Sequence, residues 1–175
     1  MDLNGFDSDL DIGASVSLDG VCMTVVNSDN GIVSFDAIYE TLDRTTLSDR
    51  KVGDLLNVER SLRLGDELGG HILSGHIIGT AEILKRDEVG DGVDFLISIP
   101  DGCNQFILEK GYIAVDGMSL TVGKCHGDGF FLHIIPETLR ITSIGSKSVG
   151  DLVNIEIDSR TQAVVEAMIR MGVES

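Results

Sequence analysis

Positive charge is scarce in this sequence: 13 lysines and arginines stand against 29 aspartates and glutamates, a formal net charge of −16. A nucleic-acid or anionic-membrane partner is therefore not expected, because phosphate binding needs a basic surface. Long apolar runs are missing as well. Nothing approaches the roughly 20 residues that cross a bilayer, and Met1-Asp2-Leu3-Asn4 carries no basic segment ahead of an apolar one, so the expected location is cytoplasmic. Cysteine occurs three times, at Cys22, Cys103 and Cys125, with no C-x-x-C spacing. Neither a disulfide framework nor a zinc site is expected from such an odd, scattered set. Two prolines against 21 glycines suit short strands and tight turns better than helices. What is present is a 175-residue chain of 42% hydrophobic content, enough for two small domains with cores of their own.

The chain repeats itself. DGVCMTV from Asp19 to Val25 returns as DGMSLTV from Asp116 to Val122, an offset of 97 (117 less 20). The same offset carries YETLDRT (Tyr39 to Thr45) onto PETLRIT (Pro136 to Thr142) and VGDLLNVE (Val52 to Glu59) onto VGDLVNIE (Val149 to Glu156). Three blocks in one register read as two copies of one domain. Each copy alternates like a half-buried strand, and Asn30-Gly31, Gly90-Asp91-Gly92 and Gly127-Asp128-Gly129 supply hairpin turns. Closing each sheet into a small barrel removes its exposed edges.

Helical patterns are few. Asn104 to Lys110 reads as a short helical turn, with Leu3 to Leu10 as its weaker counterpart. Arg160 to Met171 places Val164, Val165, Met168 and Ile169 on one face. That stripe either packs on its own barrel or joins copies of the chain. Copy two carries Gly75 to Ile83 and a strand from Val93 to Ile99 ahead of its Asp-Gly block, whereas the matching positions of copy one fall before Met1. The first barrel is accordingly expected to be incomplete, and the chain as printed to bind better than it turns over.

The segments GASVSLDGVCMTV, YETLDRTTL, NVERSLRLGDELGGHILSGHI, GYIAVDGMSLTV and IIPETLR resemble the signature segments of the riboflavin synthase family over nearly the whole chain. The resemblance implies an all-β fold of two similar six-stranded antiparallel Greek-key barrels and a C-terminal helix. The divisions would be a first barrel over 1–70, a second over 71–158 and an oligomerisation helix over 159–175. It also implies a homotrimer, no metal or redox cofactor, and the dismutation of two 6,7-dimethyl-8-ribityllumazine molecules. One gives a four-carbon unit to the other, forming riboflavin and 5-amino-6-ribitylamino-pyrimidinedione. Lumazine protein, a non-catalytic lumazine and flavin binder, shares the fold.

A flat heteroaromatic ring with a ribityl tail needs an apolar slot, edge donors and acceptors, and hydroxyl partners. Matched to the family's binding segments, copy one offers Ser15, Cys22, Met23, Thr24, Asp36, Ala37, Ile38, Tyr39, Glu40 and Thr41, with Gly75, His76 and Ile77. Copy two offers Lys110, Ser119, Leu120, Thr121, His133, Ile134, Ile135, Pro136, Glu137 and Thr138. Thr24, Thr41, Thr121 and Thr138 are favoured as polar contacts. The resemblance assigns a reactive trio to Ser15, Cys22 and His76. On the residues alone Cys22 reads first as a small buried side chain and His76 as a satisfied barrel histidine, and the family context reverses both readings. In the family context His76 carries protons, its ordinary pKa of about 6.5 lying near working pH, and Ser15 or Cys22 assists addition at the ring. His71, five residues from His76, would face the other side of a strand and takes a structural role. Glu40 and Glu137 either accept ribityl hydroxyls or cap a turn. Asp7, Asp9 and Asp11 read as a solvated face.

Overall fold

The computed structural model describes residues 1–3, 5–6 and 8–172, so Asp7 of the acidic cluster lies outside the described residues. The first unit consists of β1 (Ser15–Leu18), β2 (Val21–Asp29), β3 (Ile32–Phe35), a short helix α1 (Tyr39–Arg44) and β4 (Val58–Arg60). The second contains β5 (Gly79–Val89), β6 (Gly92–Ser98), β7 (Tyr112–Val115), β8 (Met118–Thr121), β9 (Cys125–His126), β10 (Gly129–Ile134), the short helix α2 (Pro136–Ile141) and β11 (Leu152–Ile157). A C-terminal helix α3 (Ser159–Arg170) follows. The repeat seen in the sequence is a repeat of structure. α1 and α2 begin and end 97 residues apart, as do the 3-10 turns Thr46–Asp49 and Ser143–Ser146.

The strands meet antiparallel in two sheets, ordered β3-β2-β1-β4 and β8-β7-β11-β5-β6-β10-β9. The ends of the seven-stranded sheet, β8 and β9, are two halves of one extended segment. Its middle bonds to β10 as well, Gly123 N–H donating to Phe131 O (2.7 Å) and Phe131 N–H to Lys124 O (3.0 Å). One bent strand thus serves both edges and wraps the sheet toward a six-stranded barrel, with no free edge at that seam. The first sheet has four strands, and Met1 and Asp2 pair onto β3. Asp-Gly and Asn-Gly turns join the hairpins because both central residues adopt positive φ, as in Asp19 (46°) and Gly20 (82°) or Asn30 (50°) and Gly31 (80°).

Each sheet turns alternate residues inward. Val21, Met23 and Val25 of β2 are buried while Cys22 and Thr24 are exposed. The first core gathers Leu3, Leu10, Val16, Leu18, Val21, Met23, Val25 and Val33. The second is larger and includes Ile83, Phe95, Ile97, Ile113, Phe130, Leu132, Ile144 and Ile155. None of the described residues from Leu3 to Leu10 is helical: Leu3 and Leu10 plug the first core, and an arginine on β4, Arg60, donates to the Ser8 and Asp9 carbonyls between them at 2.5 and 3.0 Å. Asn104 to Lys110 shortens to a 3-10 turn, Asn104–Phe106, whose flanking Cys103 and Ile107 are buried. In both cases apolar anchors at the two ends fix the segment, and local helix preference yields.

The two units meet across a pseudo-twofold axis at their Asp-Gly turns. A Cβ on Gly20 would stand 2.6 Å from Gly117 N, and one on Gly117 would stand 2.9 Å from Gly20 N, so only glycine fits at either position. Asn154 donates through Nδ2 to Asp19 O (2.8 Å) and accepts from Thr46 N–H (2.8 Å). Its counterpart Asn57 donates to Asp116 O (2.9 Å) and accepts from Ser143 N–H (2.8 Å). Each buried aspartate holds the asparagine of its own unit, Asp19 accepting from Asn57 N–H and Asp116 from Asn154 N–H at 2.7 Å each. Arg50 and Lys147 answer their charges at 2.7 and 3.3 Å.

Candidate functional site

Around this axis lie two clefts, sharing Ser119. The first, of about 280 Å³, is walled by Ser15, Ser17 and Cys22 of β1 and β2, by Glu59 and Arg60 of β4, and by residues 67–75 of the connecting segment. Cys22 and Thr24 reach the outer face of β2 because Val21, Met23 and Val25 take the inner one. The Cys22 N–H donates to Gly75 O at 3.0 Å, and a Cβ on Gly75 would come within 2.5 Å of Cys22 Cβ, which is why glycine with φ 76° stands there. Glu156 fixes this bend: its carboxylate accepts from Ser74 N–H (2.6 Å), Ser74 Oγ–H (2.8 Å) and Gly75 N–H (3.0 Å). The counterpart of Glu156 in copy one is Glu59, which lines the first cleft; burial holds its carboxyl above the ordinary value.

Of the sequence-predicted residues of copy one, Ser15, Cys22 and Gly75 meet in this cleft. His76 is exposed and follows Gly75 directly, outside the lining, while Ile77 packs against the first core. Met23 is a core residue, 5% exposed. Asp36 to Glu40 are exposed and Thr41 is half-buried, none of them lining a described cavity.

The second cleft, of about 400 Å³, brings together Lys110, Ser119, Leu120, Thr121, His133, Ile134, Ile135 and Thr138, residues that the family resemblance singles out. That size falls in the usual range for small-ligand sites, about 300–1,000 Å³. Residues from β8, β10 and the start of α2 meet here because β8 is the half of the bent strand that leans away from β10. His133 is set by Asp94 across the ladder, Nδ1 to Oδ1 2.6 Å, and its Nε2 lies 3.0 Å from where a Cβ on Gly123 would be. Pro136 and Glu137 stay outside the lining. Glu137 pairs with Arg140 (2.6 Å) and Glu40 with Arg44 (3.1 Å), both on the surface. The hydrogen bond from Arg140 holds the Glu137 carboxyl below its ordinary value. Ile135 at this cleft exposes 62% of its surface, and its copy-one counterpart Ile38, 97 residues earlier and at no described cavity, exposes 67%.

Sequence reasoning missed His71 and Asp94. Residues 71–78 form no regular strand, and His71 is folded back, with Nδ1 2.7 Å from Ser119 Oγ and its ring stacked on Tyr112 at 5.1 Å. Burial pushes the His71 ring below the ordinary histidine value, against the pull of Asp158 and Glu156. No signal in the sequence pairs His71 with Ser119, 48 residues away; Asp94 was legible only as a partner in the β6–β10 register.

A duplicated small antiparallel sheet with a cleft of this make-up beside its second half is the architecture of a lumazine-binding fold. Residues 5–61 and 74–158 match the family described as "Lumazine binding domain". The chain is 47% identical to the riboflavin synthase of Escherichia coli (strain K12) over 163 residues, covering 93% of this chain and 76% of that one. It is 42% identical to riboflavin synthase of Chlamydia trachomatis serovar D, with 93% and 79% covered. Two solved structures are also similar. LumP complexed with riboflavin superposes with a TM-score of 0.78 at 29% identity, covering 87% of this chain and 82% of that one. LumP complexed with 6,7-dimethyl-8-(1'-D-ribityl) lumazine gives 0.76 at 27% identity, covering 85% and 80%. The chain belongs to the riboflavin synthase family.

Proposed function

We propose that this protein is a riboflavin synthase that brings two 6,7-dimethyl-8-ribityllumazine molecules together and moves a four-carbon unit from one to the other. The products are riboflavin and 5-amino-6-ribitylamino-pyrimidinedione. The observation that carries this reading is the duplicated unit with chemically unequal side chains at matching positions: the first unit presents Cys22 where the second presents Ser119, the residue common to both clefts. A dismutation needs a donor and an acceptor of the same compound held differently, and a duplicated fold with diverged side chains provides that. The carbon lost by one molecule is gained by the other, so no external oxidant or reductant enters the balance.

In this reading Thr121 and Thr138 bond the bound ring or its ribityl hydroxyls in the second cleft, with Ile134 and Ile135 forming its apolar wall. Ser15 and Cys22 stand at the first cleft, one of them assisting addition at the ring, and His76 on the adjoining bend carries the proton. The domains divide at about 1–70, 71–158 and 159–175, although Gly75 and Ile77 touch the first unit. The apolar face of α3 supports a homotrimer, since Val164, Met168 and Ile169 expose 60%, 44% and 58% of their surface. Free thiols at Cys22, Cys103 and Cys125 support a cytoplasmic setting, and among the described residues no helix is long and apolar enough to cross a membrane. The test is to incubate the purified chain with 6,7-dimethyl-8-ribityllumazine in chelator-treated buffer and follow riboflavin absorbance. Growth of that absorbance is expected. Tight binding without product would replace this reading with that of a lumazine and flavin carrier.

A further inference from the structure

Among the described residues Ser119 is the one side chain that lines both clefts, and its hydroxyl is held on one side by a single residue. The backbone N–H of His71 donates to Ser119 Oγ at 3.0 Å, and His71 Nδ1 lies 2.7 Å from the same oxygen. Gly70 closes over the pair so tightly that a Cβ there would stand 2.4 Å from Oγ. Behind, Tyr112 stacks on the imidazole with 22° between the planes, leaving the ring little freedom to turn.

The other ring nitrogen, Nε2, is buried and has no hydrogen-bond partner among the described residues. Burial keeps the ring neutral at pH 7 by pushing it below the ordinary histidine value. A neutral imidazole has one N–H and one lone pair. With the proton on Nε2, a buried donor would face no acceptor; with the proton on Nδ1, the donor meets Ser119 Oγ and only a lone pair is left bare. Buried donors without acceptors are the rarer case in folded proteins. The Nδ1–H form is therefore favoured.

We propose that His71 is a positioning residue: through its backbone N–H and its Nδ1–H it fills both lone pairs of Ser119 Oγ and makes the Ser119 hydroxyl a dedicated hydrogen-bond donor to an acceptor atom, a carbonyl oxygen or ring nitrogen, of a heteroaromatic ligand. The ligand part rests on the function proposed above; the state of the imidazole does not. A serine free to rotate would offer donor and acceptor equally, whereas one held in this way discriminates for ring edges that accept. Copy one has Cys22 at the matching position, whose thiol is a weak donor, so this device belongs to the second unit alone.

Two measurements test it on the intact chain. Nitrogen-15 NMR of protein labelled at its histidines is expected to show His71 neutral at pH 7 with the proton on Nδ1, and Ser119→Ala to disturb that signal. A proton on Nε2, or a charged ring, overturns the proposal whether or not any ligand binds. Riboflavin binding, read by quenching of its fluorescence, is expected to weaken about 3- to 10-fold in Ser119→Ala. His71→Phe, which keeps the stacking and loses the ring donor, should weaken it similarly, and the double variant should lose no more. His71→Asn, whose amide N–H can replace the Nδ1–H, should retain most of the affinity. Losses that multiply in the double variant, or an asparagine no better than phenylalanine, also overturn it. An unaltered chain that binds no riboflavin counts against the proposed function, and the NMR result still decides the state of His71.

Discussion

Replacing Asn154 by alanine tests whether the polar clasp, rather than the apolar cores, sets how the two units meet. Asn154 is fully buried, and its side chain satisfies two backbone groups of the opposite unit, the Asp19 carbonyl and the Thr46 N–H, at 2.8 Å each. The N154A substitution removes both partners at once and leaves no room for bulk water. Each stranded buried group costs about 1–3 kcal/mol, so a loss of about 4 kcal/mol is expected. Asn57 makes the mirror-image bonds but is half-buried, so water replaces part of what is lost. About 1–2 kcal/mol is expected there. With no tryptophan in the chain, urea unfolding is best followed by circular dichroism, with NMR as a second probe in case the units separate before they unfold. A loss below about 1 kcal/mol for N154A, or an Asn57→Ala variant that costs as much, would refute the view that these bonds carry the interface.

Gly75→Ala should abolish turnover in the lumazine assay while leaving most of the folding stability in place, because its Cβ would collide with Cys22 at 2.5 Å and reshape the first cleft only; unchanged turnover would detach that bend from the site. Glutamates in place of Val164 and Met168 should shift the chain to monomers in light scattering, since both side chains are exposed on α3; an unaltered oligomer would place the contact elsewhere. Burial pushes Asp116 up to about 6, with Asp19 across the axis adding to the rise against the pull of Lys147, and Asp19 is raised as well. A carboxyl whose folded value is raised stabilises fully below its unfolded value, and that contribution is lost as pH climbs through the folded one. The stability of the unaltered chain relative to Asp116→Asn should therefore fall by about 2–3 kcal/mol between pH 4 and pH 6; a relative rise over that window would contradict the assignment.

The sequence by itself determined the duplication, the strand alternation and the turns, because each is written in local spacing. DGVCMTV and DGMSLTV announce both the repeat and which side chains of β2 and β8 leave the core, and Asp-Gly and Asn-Gly demand the positive φ values found at the hairpins. The second cleft was legible through the family resemblance, because most of its lining comes from two contiguous segments, 119–123 and 132–135. Local patterns misled where long-range burial decided, as at Leu3 to Leu10, where two core anchors overrode a weak helical spacing. Only the tertiary structure decided that the connecting segment bends over both units, which puts Gly75 against Cys22 and His71 against Ser119. It also showed that Asn57 and Asn154, visible only as members of a repeated NVE and NIE, form the interface. These pairings join residues tens of positions apart in an irregular backbone, where no period exists to be read and where the geometry follows from which buried donors and acceptors must find partners.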